Sequence, residues 1–211
     1  MFQPSYFRQD DTKQMLAFIA QYPMASLVTL SSSGLVGNHI PMLVVQRQGQ
    51  YYLQGHVARA NSLCKDLDSP TEVLAMFIGP NGYISPNWYP SKKTDPRTVP
   101  TWNYVAVHVT GEINFYQDKD WLKQHLKTLT STHETRANET WQLSDAPDDY
   151  IEKMLKAIVG LEIKIADIKG NTKMSQNHSQ QNRDGVIKGL TALGQQEVAS
   201  WVENPNPFSD E

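Results

Sequence analysis

The hydrophobic period changes at Pro23, and that change decides what the chain can fold into. Before it, Asp10 or Asp11 is placed to cap a helix that carries Met15, Leu16, Phe18, Ile19 and Tyr22 at helical spacing. After it the pattern is that of strands. ASLVTL at 25–30, LVGNHIPMLVV at 35–45 and QYYLQGH at 50–56, joined by the turn-rich SSSG and RQGQ, predict an antiparallel meander. Pro41, inside the second of these, predicts an edge or a bulge because it has no N–H for a ladder. TEVLAMFI at 71–78 is a further strand, ended by the turn signals of GPNGYISP. From Thr101 to Tyr116 the alternation is long: Val105, Val107 and Val109 share one face with Asn103, while Tyr104, Ala106, His108 and Thr110 share the other. GLEIKIADI at 160–168 closes the sheet.

Helices are added around these strands rather than alternating with them. Residues 58–68 bring Ala58, Leu63 and Leu67 to one side as a short helix. Asp118 caps a helix with Trp121, Leu122, Leu126 and Leu129, a second covers 148–158, and one or two more run through Trp201. Ser85–Pro100 holds four prolines and mixed charge, so it is expected to be an ordered, irregular loop. Short strands followed by helices point to an α+β antiparallel barrel with peripheral helices, not a doubly wound sheet. At 211 residues the chain is expected to form a single domain, 1–211, with a C-terminal helical extension.

Composition narrows the chemistry. Cys64 is the only cysteine, which excludes an intrachain disulfide, a CxxC redox pair and a cysteine-rich zinc site; redox chemistry would need a bound cofactor. No apolar run reaches the roughly 18 residues of a membrane span, and the N-terminus lacks a secretory pattern, so a cytoplasmic location is expected. A net charge of -3 argues against a wholly basic nucleic-acid surface. His133 and Glu134 begin a zinc-protease pattern that Ala137 fails to complete, and no G-x-S-x-G, phosphate loop or dinucleotide fingerprint occurs.

Two stretches stand out. In GHVARAN, 55–61, a strand ending at His56 leads toward Arg59 and Asn61 at a predicted helix start, where a guanidinium and unpaired amides suit a phosphate; the plain alternative leaves Arg59 a surface residue. In VPTWNYVAVHVTG, 99–111, Thr101, Trp102, Asn103 and Tyr104 put four hydrogen-bonding groups at the mouth of a strand, either as its simple beginning or as contacts for a planar polar ligand. Asn38 and His39 form a third polar break in an apolar strand, which suggests a ligand groove. His39, His56 and His108 have no diagnostic metal spacing, and no metal is expected.

With FQPSYF at the start, NHIPMLV, GHVARAN, FIGPNGYISPNWY, VPTWNYVAVHVTG, GLEIKIADI and KMSQN in this order, the chain resembles the PaiB family. These are FMN-binding split-barrel proteins, described as negative transcriptional regulators, within the pyridoxamine-phosphate-oxidase-like group. The resemblance implies a homodimer of six-stranded antiparallel split β-barrels with FMN at the subunit interface. Carried over by motif, Asn38, His39 and Ile40 would lie along the flavin ring, with Gly55 and His56 beside the ring or ribityl chain. Arg59, Ala60 and Asn61 would hold the phosphate. Thr101, Trp102, Asn103 and Tyr104, with Lys173, Ser175 and Gln176, would come from one or other subunit. Ser62 and Cys64 stand where the family has proline and tryptophan, and the loop at 90–98 is longer than the family pattern.

The resemblance implies an FMN-binding regulator; the alternative is an FMN-dependent oxidoreductase, such as an NAD(P)H-dependent flavin reductase. No catalytic residue stands out. Support for direct DNA contact is thin, because there is no helix-turn-helix and no basic stripe; Lys92, Lys93 and Arg97 are the residues to which it would fall.

Overall fold

The structure, a computed structural model, describes residues 1–32, 34–66 and 70–208. In chain order its elements are β1 (Arg8–Gln9), α1 (Thr12–Gln21), β2 (Met24–Ser31), β3 (Gly34–Pro41), β4 (Leu43–Arg47), β5 (Gln50–Ala58), α2 (Leu63–Asp66) and β6 (Thr71–Ile84). Two short 3-10 turns, Pro86–Trp88 and Pro90–Lys93, precede β7 (Thr101–Tyr116), α3 (Lys119–Ala137), α4 (Asp148–Lys156), β8 (Ile158–Lys173), α5 (Gln180–Ala192) and α6 (Gln196–Glu203). The strands form one antiparallel sheet in the order β3-β2-β6-β7-β8-β5-β4, with β1 paired to β8. The class is α+β, as the pattern of strands and helices predicts, with eight strands in place of six.

The two extra strands have simple origins. β1 is a two-residue pairing of Arg8 with Asn171 and Gln9 with Gly170. The apolar run 35–45 is two strands, not one: it breaks at Met42, so β3 pairs with β2 and β4 pairs with β5. Pro41 has no N–H to give, and the amide of Met42 turns to the carbonyl of Pro23 at 2.9 Å.

The chain packs as two compact units. One comprises Pro23–Ala75 and Val109–Asp167. Its hairpins are pinned by register: Ser26 faces His39 and Leu27 faces Asn38 across β2–β3, and His56 faces Gly160 across β5–β8. Gln48 and Gly49, both at positive φ, make the tight two-residue turn between β4 and β5. Helix α3 begins where Asp118 accepts from the amide of Trp121 at 2.8 Å, and it buries Leu122 and His125. Trp121 lies over the backbone of Gly160, so closely that a Cβ there would stand 2.1 Å from its ring. A buried carboxylate sits in this unit too: Glu162 takes Arg47 at 2.6 Å and Gln54 at 2.8 Å.

The other unit comprises Met1–Tyr22, Met76–His108 and Ile168–Glu211. Asp11 caps α1, accepting from the amides of Lys13 at 2.8 Å and Gln14 at 3.3 Å. The apolar face of α1, with Met15, Phe18 and Ile19 buried, meets α6, where Phe18 packs edge-on against Trp201 at 5.9 Å. The expected turn at GPNG does not form, because β6 runs straight through it to Ile84. Gly79 is there for clearance: a Cβ would come within 2.7 Å of the Phe18 ring. The segment 85–100 is ordered and irregular, held by Ser85 capping the first 3-10 turn and by Asn182 of α5 bonding Ser91.

Helix α2 is shorter than the predicted 58–68. Ala58 still pairs with Ile158 in β5, and the side chain of Asn61 accepts from the amide of Leu63 at 2.9 Å, which starts the helix there. Leu67 lies outside the described residues. Among those residues no helix is long and apolar enough to cross a membrane.

Candidate functional site

Eight of the residues singled out from sequence fall in the first unit. On β3, Ile40 is buried, His39 is exposed with Nδ1 3.1 Å from Ser26 Oγ, and Asn38 is half-buried on the opposite face to His39. Asn38 and Asn61 are brought together, the Asn61 amide donating to Asn38 Oδ1 at 3.0 Å. Asn38 Nδ2 is buried with no partner, an uncompensated donor of the kind a ligand acceptor satisfies. Gly55 is buried in β5 beside Ile40 and Met42, with no room for a side chain. Ala60 is exposed.

Arg59 is more deeply engaged than either reading of the sequence foresees. Its backbone amide bonds the carbonyl of Ala157 at 2.8 Å, Nε bonds the carbonyl of Lys156 at 2.8 Å, Nη2 that of Ile158 at 3.1 Å, and Nη1 the side chain of Gln117 at 2.6 Å. Three of the five guanidinium N–H groups are therefore used inside the protein, and one on each terminal nitrogen remains. The side chain is fixed before any anion arrives. The expected helix start plays no part, since α2 begins four residues after Arg59.

His56, half-buried on β5, places Nδ1 3.1 Å from Nε2 of His125. Burial depresses the pKa of His56, and burial followed by the neighbouring His56 pushes that of His125 down to about 4. Both rings are neutral at pH 7. Trp121 stacks on His125 with centroids 5.4 Å apart, and Tyr116 stacks on Trp121 at 4.5 Å. His125 is the residue that motif reading missed. It lies three residues after Leu122 and four after Trp121, on the stripe that the helical period marks as buried.

The other seven residues fall in the second unit. Lys173 Nζ donates to Thr101 Oγ1 at 2.5 Å and keeps two further N–H groups. Trp102 is 56% exposed and meets the Tyr83 ring edge-on at 6.1 Å. Asn103, 1% exposed, and Ser175 are closed on each other, Nδ2 donating to Oγ at 2.9 Å. Ser175 holds φ at 62°, a left-handed conformation uncommon outside glycine and asparagine. Gln176 accepts from the amide of Met174 at 2.7 Å and donates to the carbonyl of Thr172, while Tyr104 is half-buried on the opposite face to Asn103.

Solved structures share this architecture. The FAD and heme binding protein from Mycobacterium smegmatis superposes with a TM-score of 0.57 at 14% identity, covering 79% of this chain and 73% of that one. The flavocytochrome Anf3 from Azotobacter vinelandii gives 0.55 at 13% identity, covering 79% and 69%. These likenesses show the split-barrel fold of flavoproteins. The model of the family described as "Putative FMN-binding domain" matches residues 1–167, and the chain belongs to that family. It is 31% identical over 190 residues to the protease synthase and sporulation protein PAI 2 of Bacillus subtilis (strain 168), a match covering 90% of this chain and 89% of that one. The resemblance to the PaiB family and FMN as the cofactor are thereby supported from outside the motifs themselves. Lys173, Ser175 and Gln176 lie beyond the matched segment.

Proposed function

We propose that the protein is a cytoplasmic homodimer that binds FMN at its subunit interface and acts as a negative regulator of transcription. In this reading Arg59, Ala60 and Asn61 hold the phosphate, while Asn38, His39, Ile40, Gly55 and His56 line the ring and ribityl chain. Thr101, Trp102, Asn103, Tyr104, Lys173, Ser175 and Gln176 complete the site from one or other subunit. The observation that carries it is the donor set of the first unit: the orphaned Asn38 amide beside Asn61, and the two spare N–H groups of an Arg59 held by the carbonyls of Lys156 and Ile158 and the side chain of Gln117.

Such donors fit an anion joined to a ring rich in acceptors, since charge-assisted bonds from preorganised groups are the strong ones. FMN, when bound, supplies a centre that takes up and releases electrons. The chain's own part is to bind, orient and shield it. The regulatory half rests on the family resemblance and on the likeness to PAI 2, whose name ties that protein to protease synthesis and sporulation.

Two measurements test the proposal. Titration of flavin fluorescence is expected to show FMN bound by the natural chain and weakened at least tenfold in Asn38→Ala and Arg59→Ala, each losing about 1.5–3 kcal/mol of hydrogen bonding to a charged or desolvated group. Unchanged affinity in both variants would remove these residues from the site. Retention of promoter DNA with a steep salt dependence is expected of a direct repressor. DNA binding that is absent with and without FMN would sink direct repression and leave a flavoprotein that acts otherwise.

A further inference from the structure

The pairing of His56 with His125 carries a consequence for what His56 offers a ligand. His125 is 2% exposed, and its ring is stacked by Trp121, which is itself stacked by Tyr116 and lies so close to Gly160 that a Cβ there would stand 2.1 Å from it. It cannot turn away. Its Nε2 is 3.1 Å from His56 Nδ1, and its own Nδ1 is buried without a partner.

One hydrogen lies between the two rings, and with both neutral there are two ways to place it. If His56 Nδ1–H donates, His125 Nε2 is the acceptor and the remaining hydrogen of His125 must sit on Nδ1, as a buried N–H with nothing to receive it. If His125 Nε2–H donates, its Nδ1 carries only an unused lone pair. Buried N–H groups without acceptors are rarer and costlier than underused acceptors. The orphaned Nδ1 therefore selects the second arrangement, and His56 Nδ1, as acceptor, leaves its hydrogen on Nε2.

We propose that His125 is a positioning residue that fixes His56 in the Nε2–H form, so that His56 presents a neutral hydrogen-bond donor to an acceptor atom of the bound ligand, a ring carbonyl, ring imine nitrogen or phosphate oxygen. The ligand half rests on the FMN reading above; the tautomer half does not. Burial depresses the pKa of both rings, and at His125 the neighbouring His56 adds to it, which agrees with a neutral pair.

The test uses the full chain with 15N-labelled histidine, and long-range 1H–15N correlation at pH 7 without added flavin. The expected result is Nε2 protonated and Nδ1 bare in both rings. A hydrogen on His56 Nδ1 overturns the proposal, whatever the protein binds. For the ligand half, FMN affinity is measured in His125→Leu and His125→Gln. Glutamine carries an amide N–H close to where histidine carries Nε2–H, so it is expected to keep the natural affinity. Leucine frees the tautomer, and if the competent form falls to roughly half, the dissociation constant rises about twofold or more. Equal affinity in the leucine variant and the natural chain overturns the positioning role. Absence of FMN binding by the natural chain, with the tautomer as expected, counts instead against the FMN reading.

Discussion

Acidification should weaken this protein through one histidine before its carboxylates are protonated. His125 is almost fully buried, and its pKa stands at about 4 in the folded protein against an ordinary value of 6.5. Between those values the unfolded chain takes up a proton that the native chain refuses. Stability is therefore fully present above about pH 6.5 and is lost as the pH falls toward 4. With those two constants the loss is about 2 kcal/mol at pH 5 and about 3 kcal/mol at pH 4. His56, also depressed, adds in the same direction. The assay is urea unfolding followed by circular dichroism at steps from pH 7 to pH 4.5, in the natural chain and in His125→Gln, which does not titrate. The difference between the two is expected to shrink as the pH falls, by about 2 kcal/mol at pH 5. Parallel curves would refute the argument, because they would mean that His125 is as easily protonated folded as unfolded.

Three further outcomes are expected. Gly160→Ala would put a methyl 2.1 Å from the Trp121 ring, so overpacking should cost about 1–3 kcal/mol in urea unfolding, with a changed near-ultraviolet signal from Trp121. Arg47→Met leaves the buried Glu162 carboxylate with Gln54 and a long contact to Tyr116, at a cost of about 1–3 kcal/mol, reduced by the exposure of Arg47; adding Glu162→Gln should recover much of it. Arg59→Ala should also loosen the backbone at 156–158, seen as faster amide exchange there, because three of the side chain's bonds end on that segment and on Gln117.

Much of the fold is legible where local chemistry and period agree. Asp11 and Pro23 bracket α1, Asp118 starts α3, and the alternation of Thr101–Tyr116 is a single strand of that span. What stays hidden depends on close approaches between segments distant in sequence. Period alone gives no reason for β6 to run through Gly79 and Pro80, since the glycine answers to the Phe18 ring rather than to a turn. The break at Met42 depends on a carbonyl nineteen residues earlier, that of Pro23. Among the candidate site residues, the structure joins Asn38 to Asn61 and Thr101 to Lys173 by hydrogen bonds, pairs far apart in sequence that the motifs name only separately. His125 belongs to no motif, and its role follows only from the ring it touches.

Identification of the small molecule released by denaturing the purified chain tests the binding claim most directly. One FMN per chain, seen by mass spectrometry and by the yellow colour of the native protein, is the expected result. A colourless protein that neither releases nor takes up FMN when the flavin is supplied in excess would contradict it.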